Sequence, residues 1–285
     1  MDDELIKFKE VHKSFGNRVV LDSISFVVPE KKITGIIGAS GEGKTTLLKL
    51  LIGLYLPTKG EIFYSKRNIN EDLDNIKRIF GFATEDGSFH DRLTVFENMV
   101  HFGRLYHIKK KDILERTNNL LEFVGLTNAK ETMGSDLSMG MKKRLDIAIS
   151  LLHNPQVLIL DEPTADLDPL LRRNMLDLIK KINKSGTTII ITTQLLGEMD
   201  KICDKIAILF GKNIIGEGTL EQIKAKYSAR DMNHVFEKIF AKKENLEKSQ
   251  KVQDKVKANK PEEEPAKEVN DPLYTQSFED YAEEE

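Results

Sequence analysis

Three observations predict an α/β fold for this 285-residue chain, with a mostly parallel sheet, antiparallel strands at its N-terminal end and an inserted α-helical segment. Short apolar runs, VLIL at 157–160, TIIIT at 188–192 and IAIL at 206–209, alternate with helical stretches, as strands buried on both faces do. The segment GASGEGKTT, Gly38 to Thr46, links an apolar run (Ile33, Ile36, Ile37) to a helical pattern (Leu47, Leu48, Leu50, Leu51), so it sits where a strand turns into a helix. From Leu93 to His153 the strand signals stop and apolar residues recur at helical spacing, in Val95, Met99, Phe102 and Leu105 and again in Leu120, Leu121 and Val124.

Taken in order, LIKFKEVHKSF and VVLDSISFVV read as two strands joined at Gly16-Asn17. Pro29 to Lys32 is a polar turn before the strand that feeds the glycine-rich loop. Leu56 to Gly60 breaks the first helix, Glu61 to Tyr64 is extended, and the run Ile79 to Ala83 ends in the polar Thr84-Glu85-Asp86-Gly87. The lysines at 109–111 read as a solvated helix start. Past Leu220 a short helix is expected through Tyr227, and another over Val235 to Leu246. The domain reading is therefore a core over 1–227 with a helical subdomain at about 86–155, a helical extension over 228–248, and a disordered acidic tail over 249–285.

Composition bounds the function. The sequence has no apolar run near the ~18 residues that a membrane span needs, and the acidic start MDDEL lacks the basic-then-apolar pattern of a signal peptide. One cysteine, Cys203, excludes an internal disulfide framework and is expected as a small core residue. The net charge of −3 is asymmetric: residues 261–285 carry ten acids against one lysine, leaving the preceding 260 residues at +6. Without a dense basic stripe, that excess is weak evidence for nucleic acid, an anionic nucleotide or membrane surface explains it as well, and no nucleic-acid partner is expected. The six histidines, His12, His90, His101, His107, His153 and His234, show no metal-ligand spacing.

The chemistry lies in two stretches. In GASGEGKTT, Gly38, Gly41 and Gly43 are expected to take dihedrals closed to other residues, so that successive N–H groups converge at the positive end of a helix dipole. Lys44 adds a full charge for β- and γ-phosphates, and Thr45 offers a hydroxyl to phosphate-bound Mg²⁺. The strand ending at Leu160 runs straight into Asp161-Glu162-Pro163, and a carboxylate there is costly unless a cation balances it. This assigns Asp161 to Mg²⁺ and leaves Glu162 one residue further on, placed to polarise a water.

Together GASGEGKTT, LSMGMKKRL (Leu137 to Leu145), VLILDEP (Val157 to Pro163) and ADLD (Ala165 to Asp168) resemble the nucleotide-binding subunit of an ABC transporter, over roughly residues 4–225. The resemblance implies ATP and Mg²⁺ as ligands, with Ser40 and Thr46 among the loop residues on the nucleotide and Phe15 stacked on adenine. It further implies a head-to-tail dimer, homomeric or heteromeric, in which Ser138 and Gly140 face the γ-phosphate bound at the other subunit's Lys44 and Asp168 lies at the seam. It also implies a separately encoded multi-span permease as partner, and a place on the cytoplasmic face of the membrane held only through that permease. Met141 and the neighbouring KKRL resemble exporter-type subunits that work with an ABC-2-like permease. Two positions depart from the family pattern. Glu85 stands where glutamine is usual, still able to reach Mg²⁺ or the lytic water, and Gln194 stands where histidine is usual, an amide that donates a hydrogen bond but carries no charge. Catalysis is expected from Lys44, Glu162 and Gln194, with Gln194 slowing hydrolysis; the alternative, which Gln194 favours, is a nucleotide-gated regulatory or structural subunit that dimerises on ATP but hardly turns it over.

Overall fold

The computed structural model describes residues 4–71, 75 and 77–241. Two long strands, β1 (Glu4–Phe15) and β2 (Arg18–Pro29), form an antiparallel hairpin turned at Gly16, whose φ of 56° suits glycine. With β4 (Lys59–Tyr64) and β5 (Arg67–Asn68) they make a four-stranded sheet in the order β2-β1-β4-β5. The second sheet carries β3 (Ile33–Ile37), β6 (Phe80–Ala83), β7 (Val157–Asp161), β8 (Thr188–Thr193), β9 (Lys205–Phe210) and β10 (Asn213–Gly218), in the order β10-β9-β3-β8-β7-β6. Every pairing in it is parallel except β10 on β9. The all-buried ITGII, VLILD and TIIITT strands account for that topology, because only a sheet covered on both faces tolerates continuous apolar strands.

Helix α1 (Lys44–Leu51) packs Leu47, Leu48, Leu50 and Leu51 between the two sheets, in one core with Ile6, Phe8, Leu21, Ile36 and Ile159. Phe8 and Phe26 stack inside that core at 4.3 Å. Between β6 and β7 stand α2 (Val95–Leu105), α3 (Lys110–Val124) and α4 (Met139–Leu151). Helix α2 begins with a reciprocal capping box between Thr94 and Glu97, and α3 ends on Gly125 in the left-handed conformation. Then follow α5 (Pro169–Lys184), α6 (Leu196–Ile202) and α7 (Leu220–Lys226). The α/β expectation holds, and β5 and β10 add to it: both are short and half-polar, a pattern that does not announce a strand.

A helix also runs from residue 232, three earlier than the sequence pattern suggests. Its expected end at Leu246 and the expected disorder over 249–285 lie outside the described residues. One compact unit covers Met1–Lys238, and of the second, Ile239–Glu285, only 239–241 are described. No described helix is long and apolar enough to cross a membrane. Cys203 is partly covered, its thiol 3.3 Å from the Met199 sulfur, and burial pushes that thiol well above the usual range, so it is inert as a nucleophile.

Candidate functional site

Because the strands run parallel, their carboxyl ends share one edge of the sheet, and four of them deliver the site. Beyond β3 comes the glycine-rich loop, beyond β6 Glu85, at the end of β7 Asp161 and Glu162, and beyond β8 Gln194. A cleft of about 450 Å³ opens there, lined by loop residues Ser40, Gly41 and Gly43 to Thr46 and closed on its sides by Glu85, Glu162 and Gln194. Phe15 stands at its mouth, 44% exposed and edge-on to Tyr55 at 5.2 Å, a surface aromatic and not a core one.

The three loop glycines are needed for two different reasons. Gly41 and Gly43 have φ of 80° and 105°, the left-handed region expected of them, and Gly43 caps α1. Gly38 does not, which corrects the expectation from sequence. Its φ is not positive, and a Cβ there would lie 2.5 Å from the Leu209 carbonyl oxygen, so close approach of β9 excludes any side chain.

Lys44 is 7% exposed and folded back over its own loop. Its Nζ donates to the Gly38 and Ala39 carbonyls at 2.9 and 3.2 Å and pairs with Glu162 Oε1 at 3.2 Å. Glu162 sits in the left-handed region at φ 47°, unusual for a residue with a side chain, and three contacts hold it there. Its N–H donates to the Thr192 carbonyl at 3.1 Å and to the Thr192 hydroxyl at 3.2 Å, and its Oε2 accepts the Gln194 N–H at 3.2 Å. Asp161, 3% exposed, accepts from the Thr45 hydroxyl at 2.8 Å with one oxygen and from the Thr192 hydroxyl with the other.

Glu85 is exposed, and its carboxyl is held above the usual carboxylate range by partial burial first, then by the charges of Asp161 and Glu162, against a smaller opposing effect of Lys143. Glu85, Asp161 and the Thr45 hydroxyl are oxygen donors of the type a hard divalent cation takes, although among the described residues no three acidic, histidine or cysteine side chains stand close enough together to hold a metal ion. Ser138, Gly140 and Asp168 do not line this cleft among the described residues. Ser138 caps α4 through the Met141 N–H at 3.4 Å, and Asp168 caps α5 through the Leu170 and Leu171 N–H groups at 2.9 Å.

Several residues of the site do not show in the sequence. Arg18 and Val20 of β2 also line the cleft. Thr192 reads only as strand, although its hydroxyl ties β8 to the Asp161 carboxylate and to the backbone N–H of Glu162. Asp146 belongs to no motif, yet it is 1% exposed and accepts the Thr84 N–H at 2.9 Å, the Ser88 N–H at 2.8 Å and the Ser88 hydroxyl at 2.6 Å. The available signal is an acid inside LDIAIS, a run buried throughout. Two histidines distant in sequence also meet, His90 and His101, with Nε2 atoms 3.3 Å apart, but no third ligand joins them among the described residues.

The architecture and this edge of the sheet define an ATP-binding cassette. The family model described as "ABC transporter" matches residues 21–165, and the chain belongs to that family. Among its relatives, the probable multidrug ABC transporter ATP-binding protein YbhF of Escherichia coli is 32% identical over 80% of this chain, which spans only 39% of that relative's length. The daunorubicin resistance ATP-binding protein DrrA3 of Streptomyces coeruleorubidus is 33% identical over 79% of this chain and 72% of its own. A solved structure of cbiO1 from Clostridium perfringens, part of the ABC transporter complex cbiONQ, superposes with a TM-score of 0.73 at 27% identity, covering 79% of this chain and 92% of that one.

Proposed function

We propose that this chain binds Mg-ATP at the cleft and hydrolyses it to drive a separately encoded membrane permease, most naturally in export. One observation carries the reading: Lys44, Thr45, Asp161 and Glu162 converge at one strand edge, bonded to one another, from segments more than a hundred residues apart. In the resting arrangement Glu162 occupies the cation that a triphosphate needs. The γ-phosphate, with more charge than a carboxylate, competes for Lys44, and the displaced Glu162 is freed to orient and deprotonate water. Thr45, Asp161 and Glu85 would hold Mg²⁺, which when bound neutralises charge on the phosphates. The N–H groups of the loop and the α1 dipole receive phosphate oxygens, while Phe15 offers a flat apolar face to the base.

Completion of the site falls to a second subunit, whose Ser138 and Gly140 would cap the γ-phosphate and whose Asp168 would lie at the seam. The export direction draws on Met141 and on relatives named for drug resistance. Attachment to the cytoplasmic face through the permease follows from the same reading. Mg-ATP turnover by the wild type and by Lys44→Ala tests the site. The variant removes the buried cation of the cleft, so turnover is expected to fall by about 10²-fold or more with the fold retained. Equal hydrolysis by the two proteins would refute the assignment.

A further inference from the structure

We propose that Lys143 and Asp146, neither of which enters the cleft, form a two-pronged clamp by which helix α4 holds the segment that carries Glu85. This inference rests on the proposed ATPase reading and assigns its machinery two positioning residues. The residues are three apart, hence on one face of α4, and both are buried, at 7% and 1% exposure. Lys143 Nζ donates to the Glu85 carbonyl. Asp146 accepts three hydrogen bonds, from the Thr84 N–H, the Ser88 N–H and the Ser88 hydroxyl. Between the two prongs the segment makes a turn in which the Gly87 N–H donates to the Thr84 carbonyl at 3.3 Å, with Gly87 at φ 80°. Both ends of the turn are therefore fastened to one helix, and Glu85 lies inside it.

The consequence is geometric. Helix α4 starts at the Ser138 cap, the end proposed to meet the partner subunit's nucleotide, and carries the clamp one to two turns later. Glu85 faces this subunit's own cleft. A rigid helix of 13 residues thus joins two nucleotide contacts that belong to different sites of the dimer. A second tether carries the linkage onward: the buried Asn98 of α2 accepts the His90 N–H at 2.7 Å and donates to the His90 and Leu93 carbonyls at 3.0 and 3.1 Å. Displacement of Glu85 by a bound phosphate is accordingly felt along α4 and α2 and is not absorbed by a slack loop.

The test uses the full chain with Asp146→Ala, Asp146→Asn and Ser88→Ala. Three quantities are read: amide hydrogen exchange of the 84–88 peptide without nucleotide, binding of a fluorescent ATP analogue, and Mg-ATP turnover as a function of ATP concentration. For Asp146→Ala we expect exchange at 84–88 to quicken by about tenfold while the rest of the chain is unchanged, because two N–H groups lose their acceptor. Nucleotide affinity should stay within about twofold, whereas turnover falls by about tenfold. Asp146→Asn, which keeps one acceptor oxygen, and Ser88→Ala, which keeps the carboxylate, should fall between that variant and the wild type.

Unchanged exchange at 84–88 in Asp146→Ala would overturn the clamp. If that variant instead exchanges faster everywhere, Ser88→Ala decides, and wild-type protection and turnover in it would also overturn the proposal. The exchange measurement needs no ATP, so a wild type that neither binds nor cleaves ATP would refute the ATPase reading and leave the clamp to be judged separately.

Discussion

At the residue scale the site is a set of charges held in waiting. Lys44 and Glu162 are buried together, and such a pair is costly to break from one side only. Gln194 is the residue where chemistry and family pattern part. Its backbone positions Glu162, while its exposed side chain lines the cleft as a neutral amide. Losing one well-placed electrostatic donor commonly costs ~10²- to 10³-fold in rate, and an amide replaces part of it. We therefore expect Gln194→His to raise turnover several-fold with ATP affinity little changed, measured with the permease present; no gain, or a loss, would show Gln194 to be adapted to this site. Glu85 supplies a pH test. Its folded-state pKa is raised, so ionising it destabilises the fold, and that penalty appears as pH climbs from the unfolded value through the raised one. In Mg²⁺-free buffer Glu85→Gln should leave the melting temperature unchanged near pH 4 and raise it by about 1–2 °C at neutral pH. A difference that is largest in acid would contradict a carboxyl raised by burial and then by the neighbouring acids.

At the element scale, strands and helices are readable wherever periodicity is strong. VLIL and TIIIT announce buried parallel strands because nothing polar interrupts them, and GASGEGKTT announces the turn into α1 because only that context suits three glycines and a lysine. What stays hidden are contacts that depend on tertiary approach. The need for glycine at 38 is a demand of the β9 backbone, and nothing local to the loop expresses it. Thr192 looks like any β-branched strand residue until β7 is set beside it. Asp146 becomes meaningful only when the end of β6 packs beside α4. Gly81 marks the same junction: a Cβ there would lie 2.3 Å from the Ser150 carbonyl oxygen of α4. Gly81→Ala must push β6 away from that helix, and we expect a loss of about 1–3 kcal/mol in urea unfolding together with faster exchange at 84–88. Wild-type stability would mean that the two elements part without cost.

At the scale of the whole molecule, the proposed dimer asks one chain to present half of each of two sites. The cleft holds Lys44 and Glu162, while Ser138 and Gly140 sit at the start of α4 and do not line it among the described residues. Apolar side chains flank both of the motifs assigned to the seam: Met139, beside Ser138, is 49% exposed, and Leu170, two residues past Asp168, is 67% exposed. A single exposed apolar residue has no particular meaning, but these two adjoin the segments that the family resemblance assigns to the interface. If ATP binding closes two chains over two nucleotides and hydrolysis reopens them, blocking the chemistry without blocking binding must trap the closed form. Glu162→Gln does this, because the amide keeps the shape and the contact with the Gln194 N–H yet cannot take a proton from water. We expect the variant to double its mass in Mg-ATP, to return to one chain in Mg-ADP, and to lose the doubling when Ser138→Arg is added, since a bulky cation would replace the α4 cap that faces the phosphate. A Glu162→Gln protein that binds ATP and keeps the mass of one chain would remove the homodimeric mechanism, and with it the role of Ser138 at the phosphate of a second copy, leaving only a non-identical partner.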